Sequence, residues 1–164
     1  MRAAVVTVSD RSFRGERPDV SGPVLKCLLE ESDAQVVESV IIPDEVSMIA
    51  QTLIRLADHE RCAVIITTGG TGLSPRDVTP EATRQVIERE IPGMEEAIRQ
   101  ESLKQTPFAM LSRGIVGARG HTLIINVPGS PRAVRECFAV VKPVLDHAVK
   151  LLRDVDPYLS PQHP

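Results

Sequence analysis

Several residue types are scarce in this 164-residue chain, and each scarcity excludes a class of protein. Aromatic residues make up 2% of the chain and tryptophan is absent, so we expect an aliphatic core. Lys and Arg (19) do not outnumber Asp and Glu (22), and the net charge of −3 argues against a nucleic-acid partner, which typically requires a basic surface. Apolar runs of membrane-spanning length are missing, so no membrane partner is predicted.

Cysteine and histidine are also few, and neither is arranged for metal binding. The three cysteines (Cys27, Cys62 and Cys137) are far apart and outside any metal-ligand spacing, so we expect small core hydrophobes. None of the four histidines stands in a zinc-binding pattern, so neither a zinc site nor a tightly bound cofactor is predicted. The amino terminus lacks the basic region and cleavage site of a signal peptide, and this predicts a cytoplasmic protein.

What remains is the composition of one globular domain. Hydrophobic residues form 42% of the chain and charged residues 25%, whereas disordered chains are far more polar. We predict a domain over residues 1–153, followed by a proline-rich, flexible tail over residues 154–164.

Short apolar runs rich in β-branched residues alternate with segments of helical periodicity. Strands are predicted over residues 3–9, 34–43, 62–68 and 121–127. Helices are predicted over residues 23–32, 44–58, 94–104 and 131–153, and from Thr79 onward. This alternation predicts an α/β sandwich with a mostly parallel sheet, in which ligands bind beyond the carboxyl ends of the strands.

Three local features accompany this prediction. Residues 10–22 are polar and contain glycine, which predicts a long loop. Thr79 precedes Pro80 and Glu81, a pattern typical of a hydroxyl cap on the following helix. The last helix should turn Val134, Cys137, Phe138, Val141, Leu145 and Val149 inward and kink near Pro143.

The most informative stretch is "TTGGTGLSPRDVTPEAT", which begins at Thr67 and directly follows a predicted strand. It has neither the Gly-Lys-Ser/Thr of a Walker A loop nor the G-x-G-x-x-G of a dinucleotide fold. A glycine-rich turn in this position nevertheless exposes consecutive N–H groups, which can cradle a phosphate. Hydroxyl donors are available from Thr68, Thr71 and Ser74, and a second loop, "NVPGSP", places Gly129 and Ser130 before a helix.

Structural roles are open for each of these polar residues. The glycines can form a tight turn without a ligand, Asp44 can be the N-cap of its helix, and Asp77 can cap a local turn. The cationic residues Arg76, Lys104 and Arg113 can be solvated surface charges.

Taken in order, the motifs "VSDR", "IPDE", "TTGGTGLSPRDVTPEAT", "QESLKQTPFAMLSR" and "NVPGSP" resemble those of the molybdopterin adenylyltransferases, which include a domain of gephyrin. The resemblance extends from about residue 3 to residue 152. It implies a three-layer α/β/α protein that assembles as a homotrimer. It also implies an enzyme that transfers AMP from ATP to the terminal phosphate of molybdopterin and releases pyrophosphate. The molybdenum-insertion enzyme that takes the product is the implied protein partner.

By this resemblance, the catalytic acidic residues are Asp44 and Asp77, which would act on ATP together with Mg²⁺. A carboxylate beside a triphosphate requires a divalent cation between them, and Mg²⁺ accepts one or two carboxylates together with phosphate oxygens. The ligand-binding residues implied for the loops are Ser9, Asp10, Thr68, Gly69, Gly70, Thr71, Gly72, Ser74, Arg76, Pro128, Gly129 and Ser130. The residues implied for the pterin end are Lys104, Ser112 and Arg113.

The chain is shorter than some dedicated bacterial enzymes of this kind and has the length of a sister group with inactive members. In those members the "IPDE" and "RDVTP" signatures are lost, whereas both are intact here, which favours an active enzyme. Two alternatives stay open: a catalytically inactive molybdopterin-binding or scaffold trimer, and a different nucleotide enzyme that shares only the glycine loop.

Overall fold

A six-stranded sheet forms the centre of the protein, whose computed structural model describes residues 1–153. The tail predicted over residues 154–164 lies outside the described residues. The strands are β1 (Arg2–Val8), β2 (Gln35–Ile42), β3 (Val64–Thr68), β4 (Arg89–Glu90), β5 (Val116–Arg119) and β6 (Thr122–Val127). Their order across the sheet is β2-β1-β3-β6-β5-β4.

The four strands predicted from the sequence are the four that run parallel. Strands β1, β3 and β6 are almost entirely buried, which is why they read as continuous apolar runs without alternation. The two short strands β4 and β5 were not predicted: β5 pairs antiparallel with β6, and β4 pairs antiparallel with β5. Two and four residues are too few to produce a periodic signal.

Helices cover both faces of the sheet. They are α1 (Asp10–Phe13), α2 (Ser21–Glu30), α3 (Val46–Ile54, continued by a π-helical turn over Arg55–His59), α4 (Thr79–Val86), α5 (Pro92–Leu103) and α6 (Pro131–Leu152), with a 3₁₀ turn over Pro107–Leu111. One core cluster lies between the sheet and α2, α5 and α6, and a second lies between the sheet and α3 and α4. The predicted three-layer α/β/α sandwich is thus confirmed.

The long helix α6 confirms the predicted pattern of inward residues. All six positions expected to face the core are buried, and Pro143 lies inside the helix as expected. Burial raises the pKa of the Cys137 thiol to about 11, so this cysteine behaves as a small hydrophobe.

Three local expectations were wrong. Cys27 is exposed and donates to Glu31, because it lies on the outer face of α2. Residues 10–13 form the short helix α1 inside the predicted loop, capped by the Ser9 hydroxyl, which accepts from the N–H of Ser12. Thr79 does not cap α4 with its hydroxyl, because that hydroxyl instead donates to the carbonyl of Gly69 (2.9 Å).

Within residues 1–153, no helix is both long and apolar enough to cross a lipid bilayer.

Candidate active site

The loops that follow β1 and β2 are joined by a pair of aspartates. The N–H of Asp10 donates to the carboxylate of Asp44 (2.8 Å), and the N–H of Asp44 donates to the carboxylate of Asp10 (3.0 Å). Parallel strands β1 and β2 end side by side, with Val8 opposite Ile42, so their following residues meet at one edge of the sheet.

Arg76 brings the loop after β3 to the same place. Its guanidinium donates two hydrogen bonds to the carboxylate of Asp10, at 2.9 and 3.0 Å. These bonds from Arg76 hold the pKa of Asp10 below its ordinary value. Asp10 is therefore ionised and forms an ion pair with Arg76. The side chain of Arg76 is held in place by this pair, although 59% of it is exposed to solvent.

Asp44 has the opposite electrostatic character. Burial raises the pKa of its carboxyl above the ordinary value, and the negative charges of Asp10 and Asp77 add to this effect. The alternative role of Asp44 as the cap of α3 is wrong: the N-cap is Glu45, and no side chain makes a capping bond there. An ionised Asp44 is consequently a group that a cation would stabilise.

The backbone of the glycine loop requires glycine at two consecutive positions. Gly69 has φ +102°, and a Cβ there would lie 2.3 Å from the carbonyl oxygen of Val8. Gly70 has φ +66°, and a Cβ there would lie 2.3 Å from the hydroxyl oxygen of Thr79. Only glycine adopts such backbone angles without strain and leaves room for such close approach.

The glycine loop presents unpaired donors between two carboxylates. Among residues 1–153, the N–H groups of Gly70, Thr71 and Gly72 have no hydrogen-bond acceptor. A Cβ on Gly70 would lie 3.0 Å from the Oδ1 of Asp44, and one on Gly72 would lie 2.9 Å from the Oδ2 of Asp77. Consecutive free N–H groups of this kind bind anions.

Asp77 also has the local role that was left open for it. Its Oδ2 accepts from the N–H of Ser74 (3.0 Å), and its own N–H donates to the carbonyl of Ser74 (2.8 Å). This bond fixes the carboxylate beside Gly72, so the local turn and a ligand-binding role are compatible.

Arg113 holds the glycine loop in place through hydrogen bonds to its carbonyl groups, a role that the sequence did not suggest. Its guanidinium donates to the carbonyls of Gly72 (2.8 Å) and Asp77 (2.7 Å) and forms a close ion pair with Glu81. Its backbone N–H donates to the carbonyl of Thr71 (2.8 Å). Arg113 is thus a half-buried loop support, not a solvated surface charge, while its contact with a pterin stays a prediction.

The loops after β3 and β6 touch each other. The hydroxyl of Thr68 donates to the carbonyl of Pro128 (3.0 Å), and a Cβ on Gly129 would lie 3.2 Å from the Cα of Gly69. Ser130 is the N-cap of α6, where its Oγ accepts from the N–H of Ala133 (3.1 Å).

A cavity of about 350 Å³ opens beside these loops. Four predicted site residues line it: Ser9, Thr68, Gly129 and Ser130. Two further lining residues, Arg17 and Asp19, were missed by sequence reasoning. Asp19 accepts from the hydroxyl of Thr7 (2.8 Å) and from the N–H of Gly22 (3.0 Å) at the start of α2, so the Asp-x-x-Gly spacing before a helix was the available signal.

The structure does not bring every predicted residue to these loops. Lys104 forms an ion pair with Glu101 (2.6 Å) and lines a groove between α5 and α6. Ser112 lines a separate cavity of about 160 Å³ together with Pro128. Their expected contacts with the pterin end stay predictions.

The carboxylates of Asp44 and Asp77 are the kind of ligand that a magnesium ion bound with a nucleotide requires. The Oδ1 of Asp44 has no hydrogen-bond partner among the described residues, and it lies against the glycine loop. In the described part of the chain, no group of three or more His, Cys, Asp or Glu side chains could hold a metal ion alone. Mg²⁺ uses one or two carboxylates and takes its other ligands from phosphate oxygens and water, so Asp44 and Asp77 could serve as its protein ligands when phosphates are bound.

Comparison with known families gives a match over most of the chain. Residues 4–147 match the family model described as "Probable molybdopterin binding domain". A molybdopterin adenylyltransferase of Helicobacter pylori is 41% identical over 150 residues, covering 90% of this chain and 85% of that protein.

Two further similarities support this match. The Drosophila melanogaster molybdenum cofactor synthesis protein cinnamon is 50% identical over 152 residues, covering 92% of this chain, which spans only 25% of that longer protein. The crystal structure of the molybdopterin biosynthesis enzyme MoaB from Thermus thermophilus superposes with a TM-score of 0.88 at 47% identity, covering 93% of this chain and 96% of that one.

Proposed function

Because this chain belongs to the family of molybdopterin adenylyltransferases, we propose that it catalyses the transfer of AMP from ATP to the terminal phosphate of molybdopterin. An oxygen of the molybdopterin phosphate attacks the α-phosphorus of ATP, the bond from that phosphorus to the bridging oxygen breaks, and pyrophosphate leaves. The protein is accordingly a nucleotidyltransferase of molybdenum cofactor biosynthesis.

One observation supports the proposal most directly. Three consecutive unpaired N–H groups, at residues 70–72, lie between the carboxylates of Asp44 and Asp77. Donors are needed for the phosphate oxygens, and carboxylates for the cation that accompanies them. A tight turn alone does not require a carboxylate from the loop after β2 to lie beside these donors.

The reaction requires that the two phosphate groups be positioned for transfer and that their negative charge be stabilised, and residues of the chain could do both. The amides of the glycine loop would bind phosphate oxygens, and the fixed loop geometry would hold the reacting groups in line. Arg76, anchored on Asp10, places a permanent positive charge at the same edge. The cavity lined by Ser9, Thr68 and Ser130 would bind the molybdopterin, so no covalent nucleophile is required.

Asp44 and Asp77 would hold Mg²⁺ together with the nucleotide phosphates. When bound, the ion draws negative charge from the phosphates and so favours departure of pyrophosphate. The raised pKa of Asp44 is consistent with this role, because a nearby cation would stabilise the ionised carboxylate.

Three properties of the whole protein belong to the same proposal. We expect a homotrimer, by the family resemblance, and a cytoplasmic location, since all three cysteines are free thiols. We also expect contact with the enzyme that inserts molybdenum, because the adenylylated product is its substrate.

The experiment that tests this function incubates the chain with molybdopterin, ATP and Mg²⁺ and analyses the products by mass spectrometry. We expect adenylylated molybdopterin and one pyrophosphate for each product molecule. Binding of molybdopterin without pyrophosphate release would instead identify an inactive binding or scaffold protein. Consumption of ATP in the absence of molybdopterin would identify a different nucleotide enzyme that shares the loop.

A further inference from the structure

A second cavity, of about 670 Å³, lies at the opposite end of the sheet from the glycine loop. It is bordered by Cys62, just before β3, and by Thr122, at the start of β6, so it opens at the amino ends of these parallel strands. Three arginines and a histidine line it: Arg61, Arg119, Arg153 and His121. Among residues 1–153, the one carboxylate in the lining is that of Asp58. In a chain of net charge −3, this is an unusual concentration of positive charge.

The basic residues come from three separate segments that are tied together by hydrogen bonds. The hydroxyl of Thr122 donates to the carbonyl of Cys62 (2.6 Å), which joins the segment before β3 to the β5–β6 turn. The Nδ1 of His121 contacts the carbonyl of Leu152 (2.5 Å), which joins that turn to the end of α6. Because a carbonyl only accepts, Nδ1 is the donor, and Nε2 is the ring nitrogen left to meet a ligand.

The carboxylates in this region are already paired. Asp58 accepts two hydrogen bonds from Arg119, at 3.0 and 2.7 Å, and Glu60 pairs with Arg2 (3.8 Å). Glu88 accepts from the N–H of Gly120 (3.0 Å). By contrast, the guanidinium groups of Arg61 and Arg153 form no hydrogen bond or ion pair with any residue in 1–153.

Local structure explains the backbone at Arg61, but it does not require the guanidinium group of Arg61 or that of Arg153. Arg61 has φ +52° at the end of the π-helical turn, where the N–H of Cys62 donates to the carbonyl of Leu56 (3.0 Å) and a left-handed residue, usually Gly or Asn, commonly ends a helix. The carbonyls at the end of α6 already accept from the backbone N–H of Arg153 and from His121, so the guanidinium of Arg153 is not needed to cap that helix. Neither helix termination nor capping therefore requires a long cationic side chain at these two positions, yet both side chains border the polar cavity.

We propose that this cavity is a second binding site, for a small oxyanion bearing phosphate or carboxylate groups. Arg61 and Arg153 would bind the anion through their guanidinium groups, which match the geometry of both oxyanions, and His121 would contact it through Nε2. Arg119, anchored on Asp58 and on the carbonyl of Val86 (3.0 Å), would shape the wall of the site. This site is independent of the proposed reaction, which takes place at the carboxyl ends of the parallel strands.

The test is a titration of the full chain followed by ¹H–¹⁵N NMR at about 0.15 M salt, where long-range charge effects are screened. Sodium pyrophosphate and sodium citrate are the two probes. The amide signals of Cys62 and Gly120 report on the second cavity, and those of residues 69–72 report on the glycine loop. We expect at least one probe to shift the first pair of signals to saturation at millimolar concentration. Saturation by pyrophosphate identifies a phosphate ligand, and saturation by citrate alone identifies a carboxylate ligand.

Two sets of variants distinguish specific binding in the second cavity from nonspecific attraction of anions to positive surface charge. Arg61→Asn with Arg153→Gln should weaken binding at Cys62 and Gly120 by about tenfold or more, the scale of lost charge-assisted hydrogen bonds, while any response of residues 69–72 is unchanged. Arg61→Asn should not lower Tm, since Asn tolerates a left-handed backbone. The matched control is Arg135→Gln, which removes one charge from the exposed face of α6 outside the cavity and should leave binding as it was. No saturable shift with either probe, or equal weakening by Arg135→Gln, would overturn the proposal.

Discussion

At the scale of single residues, the two carboxylates beside the glycine loop are the most direct test of the mechanism. Asp44→Asn and Asp77→Asn should each lower turnover by about 10²-fold or more, the scale seen when one electrostatic stabiliser is lost. Formation of adenylylated molybdopterin by each variant measures this. Molybdopterin should still bind, because its proposed contacts lie in the neighbouring cavity. Full activity in both variants would contradict the two-carboxylate mechanism and leave the loop amides and Arg76 as the catalytic groups.

The stability of Asp44→Asn should depend on pH in a defined direction. Burial raises the pKa of Asp44 above its ordinary value of 3.8, so the ionised carboxylate destabilises the fold at neutral pH. Asn removes that charge and can still accept from the N–H of Asp10. We therefore expect a higher Tm for the variant at pH 7. The difference should shrink as the pH falls through the raised pKa and vanish below the ordinary value, where both forms are neutral.

Thermal melts of both proteins across this pH range provide the measurement. Asp10→Asn is the matched comparison, because Arg76 lowers the pKa of Asp10 and its charge stabilises the fold above the ordinary value. That variant should melt lower than the native chain at pH 7. A fall in Tm for Asp44→Asn would show that its carboxylate is a structural group.

At the scale of secondary-structure elements, Ser130 both caps helix α6 and lines the cavity proposed to bind molybdopterin. The hydroxyl oxygen of Ser130 accepts the capping bond from the N–H of Ala133. We therefore expect Ser130→Ala to lose about 1 kcal/mol in the free energy of unfolding. The hydroxyl hydrogen is free to donate into the cavity, so molybdopterin binding should weaken by a further increment of about 1 kcal/mol. Denaturant melts and binding titrations measure the two effects separately, and unchanged affinity would make Ser130 a cap alone.

The loop between β3 and α4 depends on Arg113. Its guanidinium bonds two carbonyls of the loop and the carboxylate of Glu81, a geometry that a lysine ammonium cannot reproduce. We expect Arg113→Lys to lower turnover by about tenfold through misplacement of the loop, since small displacements at a reacting centre have large effects on rate. Hydrogen exchange at the hydrogen-bonded amides of Ser74 and Asp77 should accelerate in the variant. Lys104→Ala, which changes an exposed residue away from the loop, is the control for exchange.

At the scale of the whole molecule, the resemblance to the family predicts that three copies of the chain assemble into a homotrimer. Light scattering at micromolar concentration should give three times the chain mass of 17.9 kDa. The 3₁₀ turn over Pro107–Leu111 exposes Phe108 (75%) and Met110 (68%), apolar side chains that a neighbouring copy would cover. The double variant Phe108→Ser, Met110→Ser should reduce the measured mass. A native chain that is monomeric at that concentration would remove the proposal of a trimer.

Much of the architecture was predictable because it is encoded locally. Strands β1, β3 and β6 are buried on both faces and so appear as apolar runs, and the helices show a 3.6-residue period. The glycine loop was recognisable because Gly69 and Gly70 hold backbone angles that other residues avoid. The short strands β4 and β5 escaped prediction because they are too short for any period.

By itself, then, the sequence determined the order of strands and helices, the inner face of α6 and the chemistry available at the loops. Only the tertiary structure decided which of those groups meet. Arg76 bonds Asp10 across 66 positions of sequence and Asp44 bonds Asp10 across 34, and neither pair leaves a periodic signal. The same holds for the contact of Thr79 with Gly69 and of Arg113 with Gly72. The physical reason is that such contacts depend on strand order and register, which bring together side chains that the sequence keeps apart.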